Sequence, residues 1–407
     1  MAWSDLPIDI LRYISSNLSI VDLVRLSVVC TSWSFTLDNY ALLGFQCRPS
    51  PWLLLSNDVG EAFEKITFHE LTIEREEVVL SHYRRFSSID FHSYGHRYFG
   101  SKDGWLVTLN KIDLKPHLFN PITKAEISLP SLFTLIESQY SPESSIRRSL
   151  NDTLFDFTTD EFCNIYFHKI IISSIDSSRT IVVIFGIRKE LALARSEDLT
   201  WVLGPKLSPY NTEDEEQFED VYYHEENQRF YAITNFSMVL SFDLNGQNVE
   251  LVCPNMPNPY YRTRNFDFMY YIAFLSGTFL RIERVIDIAL DSHHNARTIT
   301  ISVFKFEPTV VTSSSSSSSS QWIPVNELGE YSLFVGCNQT FSLHRMVATG
   351  IKPNCIYFAD RSSNMFPGYI DCDVGLFDLY NDRIQYILQP HSQSNWTISI
   401  WFTPSIS

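Results

Sequence analysis

The spacing of apolar residues changes once along this 407-residue chain, and that change limits what it can fold into. Between residues 4 and 37 apolar side chains recur every three or four positions. Leu6, Ile10, Leu11, Ile14 and Leu18 mark one stripe of a 3.6-residue helix. Pro7 stands where a first-turn proline is tolerated, because its missing N–H has no intrahelical partner there. Ser19-Ile20-Val21-Asp22 has the form of a capping box and predicts a second helix through Leu23, Leu26 and Val28. Cys30-Thr31-Ser32-Trp33 opens a short third helix. About forty helical residues bury too little surface to stand alone, so this head must lean on the rest of the chain or on another protein.

After residue 50 the period is two. Residues 297–306 alternate, with Ile299, Ile301 and Val303 on one face, and residues 179–187 form the continuous apolar run of a strand buried on both sides. Residues 229–234 and 238–244 read as a hairpin over Asn235-Phe236-Ser237, and residues 354–359 and 374–379 repeat the scheme. Phe242-Asp243-Leu244 and Phe377-Asp378-Leu379 lie 135 residues apart. That is three units of about 45, the length of one four-stranded propeller blade. The expectation is a mainly β chain: a β-propeller of seven blades, with six or eight as alternatives, over residues 61–407. A three-helix segment at 1–40 precedes it, joined by a linker at 41–60. Trp52, Trp105, Trp201, Trp322 and Trp401 are expected in blade cores. Eight serines, Ser313 to Ser320, form a polar tract that cannot pack, so 312–320 is expected as a disordered loop.

Charge narrows the function. A net charge of -16 repels phosphate backbones and anionic lipid, and no basic cluster offsets it, so neither nucleic acid nor membrane is an expected partner. The first ten residues lack a basic segment of the secretory type, and no apolar stretch reaches bilayer length. Seven cysteines at unpatterned spacings indicate reduced thiols in an intracellular protein, nuclear or cytoplasmic. No nucleophile elbow, zinc helix or phosphate loop is present, so no catalytic residue, cofactor or metal site is expected. His293-His294 would point to opposite faces of a strand, and the acidic run 213–220 reads as a solvated loop without the ligand spacing of a calcium site.

Leu6-Pro7, Ile10-Leu11, Ile14, Leu18, Asp22-Leu23, Arg25, Val28, Cys30 and Trp33 together resemble an F-box. That resemblance implies a three-helix segment docking a Skp-type adaptor, and through it a cullin–RING ubiquitin ligase. The implied adaptor contacts are Leu6, Pro7, Ile10, Leu11, Ile14, Leu18, Val28, Cys30 and Trp33. The remainder resembles a domain of unknown function that follows the F-box in many plant proteins and is related to kelch-type propellers. It does so through Pro51-Trp52-Leu53-Leu54-Leu55, Gly100-Ser101-Lys102-Asp103-Gly104-Trp105-Leu106, Phe119-Asn120-Pro121-Ile122-Thr123 and Ile356-Tyr357-Phe358-Ala359-Asp360. The resemblance implies a non-catalytic substrate receptor whose propeller binds a target protein for ubiquitination. The alternative is a non-proteolytic binding propeller whose F-box only holds the adaptor or caps the domain. An enzyme working in the propeller channel is a third class.

Overall fold

A computed structural model describes residues 6–15, 26, 29–33, 51–57, 65–80, 96–110, 113–132, 134–135, 166–173, 179–186, 188–207, 216–254, 266–288, 297–307, 321–346, 350–361, 372–388 and 396–405. Among them stand one helix of eight residues, α1 (Ile8–Ser15), a helical turn at 31–33, and six sheets. The second expected helix lies almost wholly outside the described residues, as do Leu18, Val28, His293, His294 and the serine tract.

The first sheet takes β1 (Trp52–Asn57), β2 (Lys65–Glu74) and β3 (Glu77–Leu80). The second is built from β4 (His96–Lys102), β5 (Trp105–Asn110), β6 (Lys115–Phe119) and β7 (Glu126–Ser128). The third holds β8 (Phe167–Ile172), β9 (Thr180–Phe185), β10 (Glu190–Arg195) and β11 (Val202–Leu203). In the fourth are β12 (Phe218–His224), β13 (Arg229–Thr234), β14 (Val239–Phe242) and β15 (Glu250–Cys253). The fifth contains β16 (Phe266–Leu275), β17 (Thr278–Asp287), β18 (Arg297–Glu307) and β19 (Gln321–Pro324). β20 (Tyr331–Gly336), β21 (Phe341–His344), β22 (Cys355–Arg361), β23 (Cys372–Asp378) and β24 (Arg383–Tyr386) form the sixth, in the order β21-β20-β22-β23-β24 with β20 and β22 parallel. The last strand, β25 (Trp396–Phe402), returns to pair antiparallel with β1.

Neighbouring sheets meet through their innermost strands: β25 packs on β4, β4 on β8, β8 on β12 and β12 on β16. This is a six-bladed propeller closed by its own two ends, which meet as neighbouring strands of one sheet. It corrects the expectation of seven blades. The two Phe-Asp-Leu triplets cap the next-to-outermost strands of the fourth and sixth blades, so 135 residues span two blades, not three. The triplets share one turn chemistry. Asp243 Oδ1 accepts from the backbone N–H groups of Asn245 and Gln247, and Asp378 Oδ1 from those of Tyr380 and Asn381. Asn120, after β6, does the same for Ile122 and Thr123. A side-chain oxygen thereby starts each outer turn.

Two further expectations change. β1 lies inside the span read as linker; its Leu53 and Leu54 are fully buried between β2 and β25. Ile299 leaves the core face. A register shift opposite Val285 and Ile286 turns Thr298 inward, fully buried, while Ile299 is 45% exposed and Ile301 and Val303 stay in the core. β9 is buried at every position, as its apolar run predicts, and all five expected tryptophans are buried.

Candidate functional site

The helical head presents one candidate face. In α1 the side chain of Leu11 is buried, and the Ser15 hydroxyl bonds back to the Leu11 carbonyl at 2.7 Å. Pro7, Ile10 and Ile14 are exposed, Ile10 at 48% and Ile14 at 36%. At 3.6 residues per turn these three positions fall within about 60° of one another, beside the buried Leu11 edge. Tyr13 and Val29 add exposed apolar surface, at 73% and 57%. Of the other sequence-derived contacts, Leu6 and Cys30 are half-buried and Trp33 is buried. The structure therefore divides that set into an outward ridge and residues turned inward.

A second candidate lies on the propeller axis and was not recognised from sequence. A cavity of about 40 Å³ is lined by residues of four blades, among them Lys169, Lys189, Glu219, Tyr271, Cys337 and Asp360. Asp220, fully buried, forms an ion pair with Lys169 and accepts the N–H groups of Val221 at 2.8 Å and Ile272 at 2.9 Å. Glu219 pairs with Lys189 at 2.6 Å. Desolvation raises the affinity of both carboxylates for protons, against the opposing pull of the lysines. The acidic run thus ends in buried, paired groups: Glu216 also accepts the Thr234 hydroxyl at 2.7 Å. That corrects its reading as a solvated loop over 216–220, while 213–215 lie outside the described residues.

Deeper between the fifth and sixth blades, Arg284 is completely buried. Its Nη2 donates to Asp373 at 2.8 Å, its Nε to the Thr298 hydroxyl at 2.7 Å, and its Nη1 to the Tyr271 hydroxyl at 3.3 Å. Tyr271 in turn donates to Asp360 at 2.9 Å. Burial, with Asp360 adding to it, lifts the Tyr271 phenol well above its ordinary range. His168 on β8, whose Nε2 lies 3.0 Å from the Gly186 carbonyl, is held down to a pKa of about 3 by desolvation and by Lys189. The cavity has room for a few waters, and its charged groups answer one another across the blades. The arrangement joins blades, and within it the Cys337 thiol donates to Asp360 Oδ1 at 3.4 Å. The available sequence signal was a charge set against an apolar run, as with Lys169 before Ile170-Ile171-Ile172 in β8; Arg284 in β17 stands among Arg281, Glu283 and Asp287 and gives no such signal.

Among the described residues no helix is long and apolar enough to cross a membrane. Comparison with known proteins adds two family matches: an F-box domain over residues 3–43, and the KIB1-4 beta-propeller over residues 75–378. The second covers well over half of the chain. The chain belongs to the KIB1-4 beta-propeller family.

This KIB1-4 propeller is thus of the F-box type found in plants. A probable F-box protein of Arabidopsis thaliana is 23% identical over 99% of this chain and 96% of its own length. An F-box/kelch-repeat protein of the same plant is 27% identical over 35% of this chain, and an F-box protein 26% identical over 32%. The match spans only 38% and 31% of those two relatives' own lengths. Among solved structures, a chain from a nidogen/laminin complex aligns over 88% of this propeller protein and 100% of itself, at 9% identity and a TM-score of 0.41. A Cps50 (Swd1) propeller from Myceliophteria thermophila aligns over 80% and 93%, at 10% identity and a TM-score of 0.30.

Proposed function

We propose that this protein is the substrate-recognition subunit of a Skp–cullin–F-box ubiquitin ligase, with no catalytic residue of its own. The observation that supports it is the outward ridge of Ile10 and Ile14 on α1 with Pro7 just ahead of the helix, inside the segment that matches an F-box. Exposed apolar side chains gain about 1.5–3 kcal/mol each when withdrawn from water. Association and side-chain ordering take back part of that gain, so a few anchors carry the affinity. Leu6 and Cys30 are half-buried, and Leu11 and Trp33 are buried. The propeller supplies a rigid frame whose connecting loops read a target protein. Holding target lysines beside the charged conjugating enzyme raises their effective concentration, and proximity alone speeds transfer. Work of this kind takes place in the nucleus or cytoplasm.

The test is affinity purification of the tagged chain from plant cells with and without a proteasome inhibitor. Adaptor and cullin should co-elute, and the inhibitor should enrich at least one further protein that carries ubiquitin. Recovery of the adaptor without cullin, and without inhibitor-dependent enrichment, supports the non-proteolytic alternative instead.

A further inference from the structure

The sixth blade departs from the other five, and the departure sits on the axis. Its first two strands, β20 and β21, form a hairpin whose tip, residues 336–340, enters the centre of the ring. Asn338 is 1% exposed and Thr340 fully buried, although both belong to a turn. The Asn338 side-chain amide donates to the Ser101 hydroxyl at 2.8 Å, the Ser101 carbonyl at 3.1 Å and the Trp401 carbonyl at 2.6 Å. It thereby joins β4 of the second blade to β25 of the first. Gln339 imitates a paired strand: its Oε1 accepts the Tyr223 N–H at 3.0 Å, and its Nε2 donates to the Tyr223 carbonyl at 3.2 Å, in the fourth blade. From the third blade, Lys169 donates to the Gly336 carbonyl at 3.1 Å.

The backbone is shaped for this approach. Gly336 has a φ of 151°, which side-chain-bearing residues rarely adopt, and a Cβ there would collide with the Ala359 carbonyl. Gly100 lets the tip pass: a Cβ on it would lie 3.3 Å from the Cys337 carbonyl. Ser101, Tyr223 and Trp401 are each the last but one residue of their strand, whereas Lys169 and Asp220 stand near the start of theirs. The tip therefore crosses the axis towards the end where the innermost strands finish, and the polar cavity lies on its other side with Gly336 and Cys337 among its lining residues.

We infer that residues 336–340 are a keystone: a conformational lock that ties the first, second, third and fourth blades to the sixth and stoppers the axial channel. The β1–β25 pairing closes the ring at one seam, and the keystone holds that seam from inside through Trp401. A second glutamine makes the same two bonds far from the axis. Gln385 accepts the Val78 N–H at 3.1 Å and donates to the Val78 carbonyl at 2.6 Å, linking the outer strands of the sixth and first blades. It provides a matched control.

Hydrogen exchange read by mass spectrometry on the full chain tests the lock. In the double variant Asn338→Ala/Gln339→Ala, exchange at 399–401 and 98–101 should rise about tenfold or more, while Gln385→Ala leaves those peptides unchanged. A rise confined to 336–341 overturns the inference. If the double variant fails to fold, hydrogen exchange of the unaltered chain in increasing urea tests the same lock. Residues 336–340, 98–101, 221–223 and 399–401 should lose protection together. Loss at the tip at lower urea, with 399–401 still protected, overturns it.

Discussion

Replacing Arg284 with methionine removes the charge that bridges the fifth and sixth blades while keeping a stem of similar length. The bonds lost include those to Asp373 at 2.8 Å, to Thr298 at 2.7 Å, and from Nη1 to the Tyr271 hydroxyl and the Met269 sulfur, each at 3.3 Å. The guanidinium also leaves the face of Phe358, 5.2 Å from its ring centre. Asp373 keeps two donors, the Thr298 N–H at 2.8 Å and its hydroxyl at 2.6 Å, but stays a buried carboxylate without its cation. Breaking one side of such a pair costs about 3–5 kcal/mol, a large share of the roughly 5–15 kcal/mol that holds a folded domain together. Urea unfolding followed by tryptophan fluorescence measures the loss, and the cycle with Asp373→Asn isolates the coupling. The single changes should each destabilise, and the double variant should lose clearly less than their sum. A loss below about 1 kcal/mol for Arg284→Met, or additivity within about 0.5 kcal/mol, refutes a pair that fastens the blades.

Acid should act through His168. Its folded pKa of about 3 lies below the ordinary 6.5, so between those values the unfolded chain takes up a proton that the folded chain refuses. Stability is lost as pH falls through that window, by at most about 4–5 kcal/mol at 1.36 kcal/mol per unit. His168→Gln should flatten the slope of urea midpoint against pH; an unchanged slope removes the role. At Gly336, alanine would press its methyl group on the Ala359 carbonyl, and a loss of about 3 kcal/mol or more, or failure to fold, is expected in thermal melts. A melt within about 0.5 kcal/mol of the parent contradicts the tight approach.

The switch from period 3.6 to period 2 was enough to separate a helical head from an all-β body, because burial of one face dictates spacing in both kinds of element. Blade count was harder to read. The repeat marker was genuine at Asp243 and Asp378, yet the unequal lengths between strands hide the period that a uniform repeat would show. Asn120 performs the same turn chemistry with a different residue, so a search for identical triplets passes over it. The buried ion pairs escaped notice for a related reason. Glu219 and Asp220 sit at the end of an acidic run, and composition argues for water there, but Lys169 and Lys189 arrive from another blade, some 30 to 50 residues away in sequence. On α1 periodicity placed the stripe correctly without saying which part turns outward. Only the packing of Leu11 separates it from Ile10 and Ile14.

If the protein is a ligase receptor, the outward ridge of α1 is there to be covered by an adaptor. Ile10→Glu/Ile14→Glu places two charges on that ridge, at positions already 48% and 36% exposed, and should leave the melting temperature of the chain unchanged. Calorimetric titration of purified Skp-type adaptor against the parent and this variant then reads the ridge's contribution to binding. Saturable binding by the parent, weakened by at least about a hundredfold in the variant, is the expected result. Equal affinity for both chains would contradict it.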